Sequence, residues 1–126
     1  MHVIVASRDR DFRDQITQVL QDHHHRVVST DQSSQLIDQV LKDSFDLIVT
    51  DVDLSGMDGV ESLPILRRLR PKVPIVMVSE ELPPQRSQQI AREGAFYHFH
   101  KPLYDYDFLQ VVEAIAKRLP TPKAQC

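Results

Sequence analysis

The chain has 126 residues, 41% of them apolar and 26% charged, with a formal net charge of −3 and a single cysteine. That length suits one domain rather than two, and the balance excludes a mostly disordered chain or a disulfide-stapled scaffold. No apolar run approaches the roughly 18 residues of a membrane-spanning helix, so no membrane partner is expected, and the negative balance argues against nucleic acid. Met1-His2-Val3-Ile4-Val5 meets Arg8 and Asp9 too soon for a secretory leader, so a cytoplasmic address is expected. Cys126 stands alone, so neither an internal disulfide nor a cysteine-based metal site is expected.

Short apolar runs recur at Val3–Ala6, Val27-Val28, Leu47–Val49, Ile75–Val78 and Phe96–Phe99. Most are continuous rather than alternating, as strands covered on both faces require. Between them, apolar residues return at helical spacing. Phe12, Ile16, Val19 and Leu20 form one stripe; Leu36, Val40 and Leu41 a second; Phe108, Val111, Val112 and Ile115 the last. Asp31 or Ser33 is the expected cap of the second helix, and Asp105 that of the last. Pro64 disfavours a helix interior, so the third helix is expected to start late, near Ser62, or to kink. The fourth starts no earlier than about Pro84, runs to Glu93 and stops at Gly94. Strand and helix alternate throughout, which implies an α/β domain with a parallel sheet and helices on both faces. The expected domain is 1–119, with 120–126 a frayed tail.

Ligand sites in such sheets form beyond the carboxyl ends of the strands. Those positions hold Ser7, Arg8 and Asp9 after the first run, and Asp51, Val52 and Asp53 after the third. Ser79 and Glu80 follow the fourth, and Lys101 and Pro102 the fifth. A carboxylate, a hydroxyl and an ammonium thus converge as a nucleophile, a donor and a charge partner for a phosphoryl group.

Asp51 at a strand end, the Gly56-Met57-Asp58-Gly59 turn, Ser79, Gly94-Ala95 and Lys101-Pro102 stand in order, each at the end of its own element. In this the chain resembles the response-regulator receiver domain of two-component signalling, over nearly its whole length to about Leu119. The resemblance implies a doubly wound, flavodoxin-like sheet of five parallel strands ordered 2-1-3-4-5. It also implies that Asp51 accepts a phosphoryl group from a sensor histidine kinase or phosphotransfer protein. Ser79 would then donate to a phosphoryl oxygen, Lys101 would pair with Asp51, and the Lys101-Pro102 bond would be open to a cis form. A downstream protein would dock on the face of the fourth helix, fifth strand and fifth helix, where Tyr104 and Tyr106 are interface candidates. Turnover would be self-limited, a single adduct on Asp51 rather than enzymatic catalysis.

One departure matters. Receiver domains end the first strand with two acidic residues that help hold Mg2+, and here those positions are Ser7 and Arg8. An arginine offers the ion no oxygen and adds a repelling charge. No cofactor is therefore expected. Arg8 is expected to take the metal's region and pair with Asp51 or Asp53, or else to swing into solvent. A weak Mg2+ site using Asp9, Asp51 or Asp53 is the remaining option. His98, three residues before Lys101, stands where the family commonly has an aromatic switch that acts with the hydroxyl at Ser79. It is either a working switch or an ordinary edge-strand residue. Glu80 either crowds the pocket or pairs with Arg8 or Lys101.

His23-His24-His25 read as a helix end or solvated loop rather than a chelator, and Arg67-Arg68-Leu69-Arg70-Pro71-Lys72 as a basic helix end open to acidic or phosphate partners. Two function classes compete with a phosphorylated receiver. One is a degenerate pseudo-receiver that binds a partner without phosphorylation. The other is a phosphatase of the haloacid-dehalogenase type, suggested by Asp51-Val52-Asp53, although that pair sits mid-chain here and no acidic pair follows Lys101.

Overall fold

The computed structural model describes residues 1–119, so the tail expected at 120–126 lies outside the described residues. Ten elements alternate: β1 (His2–Ala6), α1 (Arg10–Asp22), β2 (Arg26–Thr30), α2 (Ser33–Lys42), β3 (Leu47–Asp51), α3 (Gly59–Leu69), β4 (Ile75–Ser79), α4 (Pro84–Arg92), β5 (Tyr97–His100) and α5 (Asp105–Ala116). The strands form one parallel sheet in the order β2-β1-β3-β4-β5. The chain leaves β1 toward β2 and then returns past β1 to β3. The order therefore reverses beside β1 and β3, and a crevice opens beyond their carboxyl ends.

Every residue of β3 and β4 is buried, whereas β2 and β5, at the edges, are only partly covered. Side chains alternate across the sheet and feed two cores. Val3, Val5, Val49 and Val78 pack with Phe12, Ile16 and Leu20 of α1 and with Phe108, Val112 and Ile115 of α5. Ile4, Ala6, Ile48 and Met77 pack with Leu36 and Val40 of α2, Leu63 and Leu66 of α3, and Ile90 of α4.

Several local expectations need correction. Helix α3 starts at Gly59, not Ser62, and continues through Pro64 to Leu69. Its start is fixed by Asp58, whose carboxylate accepts from the Glu61 N–H at 2.9 Å. That cap at the amino end and buried Val60, Leu63 and Leu66 offset the one amide bond that Pro64 removes. Neither Asp31 nor Ser33 caps α2, and Asp105 does not cap α5. The residues at those positions are Gln32 and Tyr104, with no side-chain cap bond. The Asp105 carboxylate instead accepts from the Gln15 amide at 2.9 Å, tying α5 to α1. Leu41 is 54% exposed and lies outside the α2 stripe. The fifth strand is displaced by one residue from its apolar run, because Phe96 serves as the entry whose N–H bonds to the Ile75 carbonyl at 2.8 Å. Gly94 does end α4: at φ +84° it brings its own N–H to Ala91 and that of Ala95 to Ile90. His24 plays the same part after α1 at φ 67°, so the histidine run closes a helix, and the His25 Nδ1 lies 2.8 Å from the Met1 amine.

Candidate functional site

Asp51, the last residue of β3, is 1% exposed. A carboxylate so buried needs partners for its charge and lone pairs. It has three. The Lys101 ammonium donates to Oδ2 at 2.6 Å, the Ser7 hydroxyl donates to the same oxygen at 2.7 Å, and the Asp53 N–H donates to Oδ1 at 3.0 Å. Oδ1 thus has the less committed lone pairs, since an sp² oxygen accepts two bonds.

The loop after β5 delivers Lys101. Its N–H bonds to the Ser79 carbonyl at 2.8 Å, its peptide bond to Pro102 is cis, and its ammonium lies 4.8 Å from the centre of the Phe12 ring. That ammonium bridges two carboxylates, reaching Asp9 at 3.1 Å as well as Asp51. Burial alone would lower the Lys101 pKa, but the bond and charge of Asp51, and then those of Asp9, outweigh it and raise it. Asp9 is held below its usual value, first by the Phe12 N–H it accepts as the cap of α1 and also by Lys101, against the opposing effect of burial.

Ser7 is the residue that pattern-reading undervalued. It is fully buried, donates to Asp51 and accepts the Asp9 N–H at 3.0 Å, so it couples β1, β3 and the start of α1. The missed signal was a small hydroxyl residue at the end of a central strand, directly beside the reversal in strand order. Arg8 lies elsewhere. Of the two partners open to it, the structure has Asp53, with Nε 3.7 Å from the carboxylate and both side chains about three-fifths exposed (58% and 61%). An ion pair so open contributes about 0–1 kcal/mol. No hydrogen bond or ion pair joins Arg8 to Asp51, so the cation on Asp51 is Lys101.

A cavity of about 450 Å³ opens over these groups, lined by Asp9, Asp51, Asp53, Ser79, Glu80 and Lys101 among others. Glu80 is exposed at its rim and has no ion pair with Arg8 or Lys101. Opposite Asp51, the Ser79 hydroxyl is hydrogen-bonded to His98 Nε2 at 2.7 Å. The next ring on that face of β5, His100, is 4.7 Å from His98 between centroids. Burial, and then the charge of His100, lower the His98 pKa below 6.5. The folded state therefore favours the neutral ring, and its contribution is present above the unfolded pKa and lost as pH falls through the folded one. Wild type should lose melting temperature between about pH 7 and about pH 5, and His98→Gln should lose less. Equal losses in the two proteins would remove His98 from the account.

The loop that carries Asp53 is pinned from two sides. Ser33 Oγ accepts the Met57 N–H at 2.9 Å and the Ser33 N–H reaches the Ser55 carbonyl at 3.0 Å, while Arg86 of α4 meets Asp58 at 2.6 Å. Gly59 lies so close to the Asp51 carbonyl that no side chain fits there.

The profile of the response regulator receiver domain matches residues 3–113. The chain belongs to that family. This receiver is 30% identical, over 97% of its length, to the DNA-binding transcriptional regulator NtrC of Azospirillum brasilense, of which it spans 25%. It is 26% identical over 87% of its length to the response regulator protein FleR of Pseudomonas aeruginosa, spanning 23% of that protein. The chain thus spans about a quarter of the curated relatives it matches. Among solved structures, a two-component response regulator from Clostridium difficile has a TM-score of 0.89 at 20% identity, covering 96% of this chain and 99% of that one. A CheY-like receiver domain protein from Methanospirillum hungatei has 0.86 at 22%, covering 92% and 94%. Receiver domains are signalling modules rather than classical enzymes, phosphorylated by histidine kinases or phosphotransfer proteins. Among the described residues, no helix is long and apolar enough to cross a membrane.

The family's Mg2+ does not suit the groups this receiver presents. The ion needs an octahedron of oxygens, mostly carboxylate and water. Here Ser7 offers a hydroxyl already spent on Asp51, Arg8 offers no oxygen, and Asp9 is paired with Lys101. Among the described residues, no three His, Cys, Asp or Glu side chains are grouped to hold a metal.

Proposed function

We propose that Asp51 is the phosphoacceptor of this receiver and that its pocket works with a built-in ammonium and hydroxyl instead of a strong Mg2+ site. The observation behind this reading is the double hold on Asp51 Oδ2 by Lys101 and Ser7, at 2.6 and 2.7 Å. These donors fix the carboxylate and leave Oδ1 the more available oxygen to attack phosphorus. In that step an Oδ1–P bond forms as the P–N bond of a phosphohistidine breaks, and the leaving imidazole keeps the electron pair of that bond. Lys101 stands beside the charge that develops, and the Ser79 hydroxyl, hydrogen-bonded to His98 at 2.7 Å, can turn its proton to a phosphoryl oxygen. Charge stabilisation by one ammonium is smaller than that of an ammonium plus a divalent ion, so transfer is slow.

Output runs through the face of α4, β5 and α5. Tyr97, Tyr104 and Tyr106 are 48%, 66% and 71% exposed there, an aromatic surface suited to a protein partner. The test is intact mass spectrometry after incubation with acetyl phosphate, with and without Mg2+. One phosphoryl adduct is expected on wild type and none on Asp51→Ala. A wild type that takes up no phosphoryl group would instead support a pseudo-receiver, and continuing release of phosphate from an ester a phosphatase.

A further inference from the structure

We propose that the end of the sheet opposite Asp51 carries a second site, which binds a small aromatic anion. A cavity of about 260 Å³ lies there, beneath the amino ends of β4 and β5. Three cations converge on it from separate segments: Arg67 from α3, Lys72 from the α3–β4 loop, and Arg118 just past α5. Among the described residues no carboxylate lines it, and none of the three cations is in an ion pair. Its wall is apolar, made by Pro74, Phe96 and Ile115.

Two details make this more than a set of basic helix ends. The Arg118 guanidinium lies 5.0 Å over the Phe96 ring, a cation–π contact that holds the charge at the wall. Arg67 spends one nitrogen on the Pro71 carbonyl at 2.9 Å and runs past Gly94, where a Cβ would come within 3.4 Å of the guanidinium. One cation is thus positioned by an aromatic ring and another by a backbone carbonyl. Negative helix ends at α3 and α5 favour positive side chains nearby, but they account for neither a concave apolar wall nor the ring beneath Arg118.

The dimensions and chemistry define the ligand. The volume is below the roughly 300–1,000 Å³ of drug-sized sites, so the body is a single ring. The wall calls for that ring to be apolar, and the two guanidinium groups call for one planar or tetrahedral anionic head, a carboxylate or a phosphate. The site is separate from the phosphoacceptor, so its occupancy would be an input independent of phosphorylation.

The experiment is an amide NMR titration with benzoate, phenyl phosphate, inorganic phosphate and neutral benzamide. Benzoate or phenyl phosphate, or both, should move the signals of Gly94, Phe96 and Arg118 while those of Asp51 and Ser79 stay in place. The shifting aryl anion identifies the preferred head. Benzamide should not bind, and inorganic phosphate should bind at least about tenfold more weakly than the better aryl anion. Arg67→Gln with Arg118→Gln should weaken that anion at least about tenfold, and Lys72→Gln, at an exposed loop position, should weaken it less while leaving the fold untouched. Shifts centred on Asp51, equal binding of inorganic phosphate and the aryl anions, or affinity unchanged in these variants would each overturn the proposal.

Discussion

Lys101→Met is expected to cost this fold about 3–5 kcal/mol, a large share of a small domain's stability. The loss comes less from the pair itself than from what remains. Asp51 is 1% exposed and would keep only the Ser7 hydroxyl and one backbone N–H, while Asp9 would lose its cation too. Truncating the other partner has a different outcome. Asp51→Asn removes the buried charge, leaves Lys101 its 3.1 Å contact with Asp9, and turns its one acceptor oxygen to Lys101 and Ser7 at the cost of the single bond from the Asp53 N–H. It should change stability by no more than about 1 kcal/mol in either direction. The double variant should recover most of the single loss, because the penalty belongs to a stranded carboxylate. Urea unfolding of the four proteins measures this directly, and a double variant as unstable as the sum of the singles would defeat the argument.

The same cluster shows what a chain of letters conveys and what it does not. Continuous apolar runs at Ile75–Val78 and Leu47–Val49 mark strands buried on two faces, and the polar residue ending each run marks the crevice. The α/β class and the meeting of Asp51, Ser79 and Lys101 at one end were therefore legible, while the strand order was implied only by the family resemblance. Partner choice was not, because it depends on side-chain reach and rotamer rather than spacing. Arg8 is long enough for either carboxylate, yet burial decides: Asp51 is taken by the ammonium that enters from β5 and by the hydroxyl beside it, and Arg8 stays at the rim. Pro64 misled for a related reason. Its local penalty is real, but the Asp58 cap and the α3 side chains packed under the sheet outweigh it. Caps failed where a polar side chain found a tertiary partner: Asp105 turned to Gln15 and Ser33 to the Asp53 loop, contacts between segments distant in sequence.

Replacing both Ser7 and Arg8 with aspartate should make the protein depend on Mg2+. The Ser7 position is fully buried and 2.7 Å from an Asp51 oxygen, so a carboxylate there sets like charges side by side where a donor had been. Without the ion the double variant should be several degrees less stable than wild type, since one ammonium then faces three buried or half-buried carboxylates. With the ion that repulsion becomes a ligand set of the hard oxygens Mg2+ prefers, and the rim charge of Arg8 no longer opposes its approach. Calorimetry should show at least a tenfold gain in Mg2+ affinity over wild type, about 1.4 kcal/mol. The melting temperature of the double variant, but not of wild type, should rise as Mg2+ is added and fall again on chelation. Arg8→Asp alone should gain less, because the Ser7 hydroxyl would still be committed to Asp51. If the double variant binds Mg2+ no better than wild type, then the first-strand positions do not govern the metal, and the charges around Asp51 are not what excludes it.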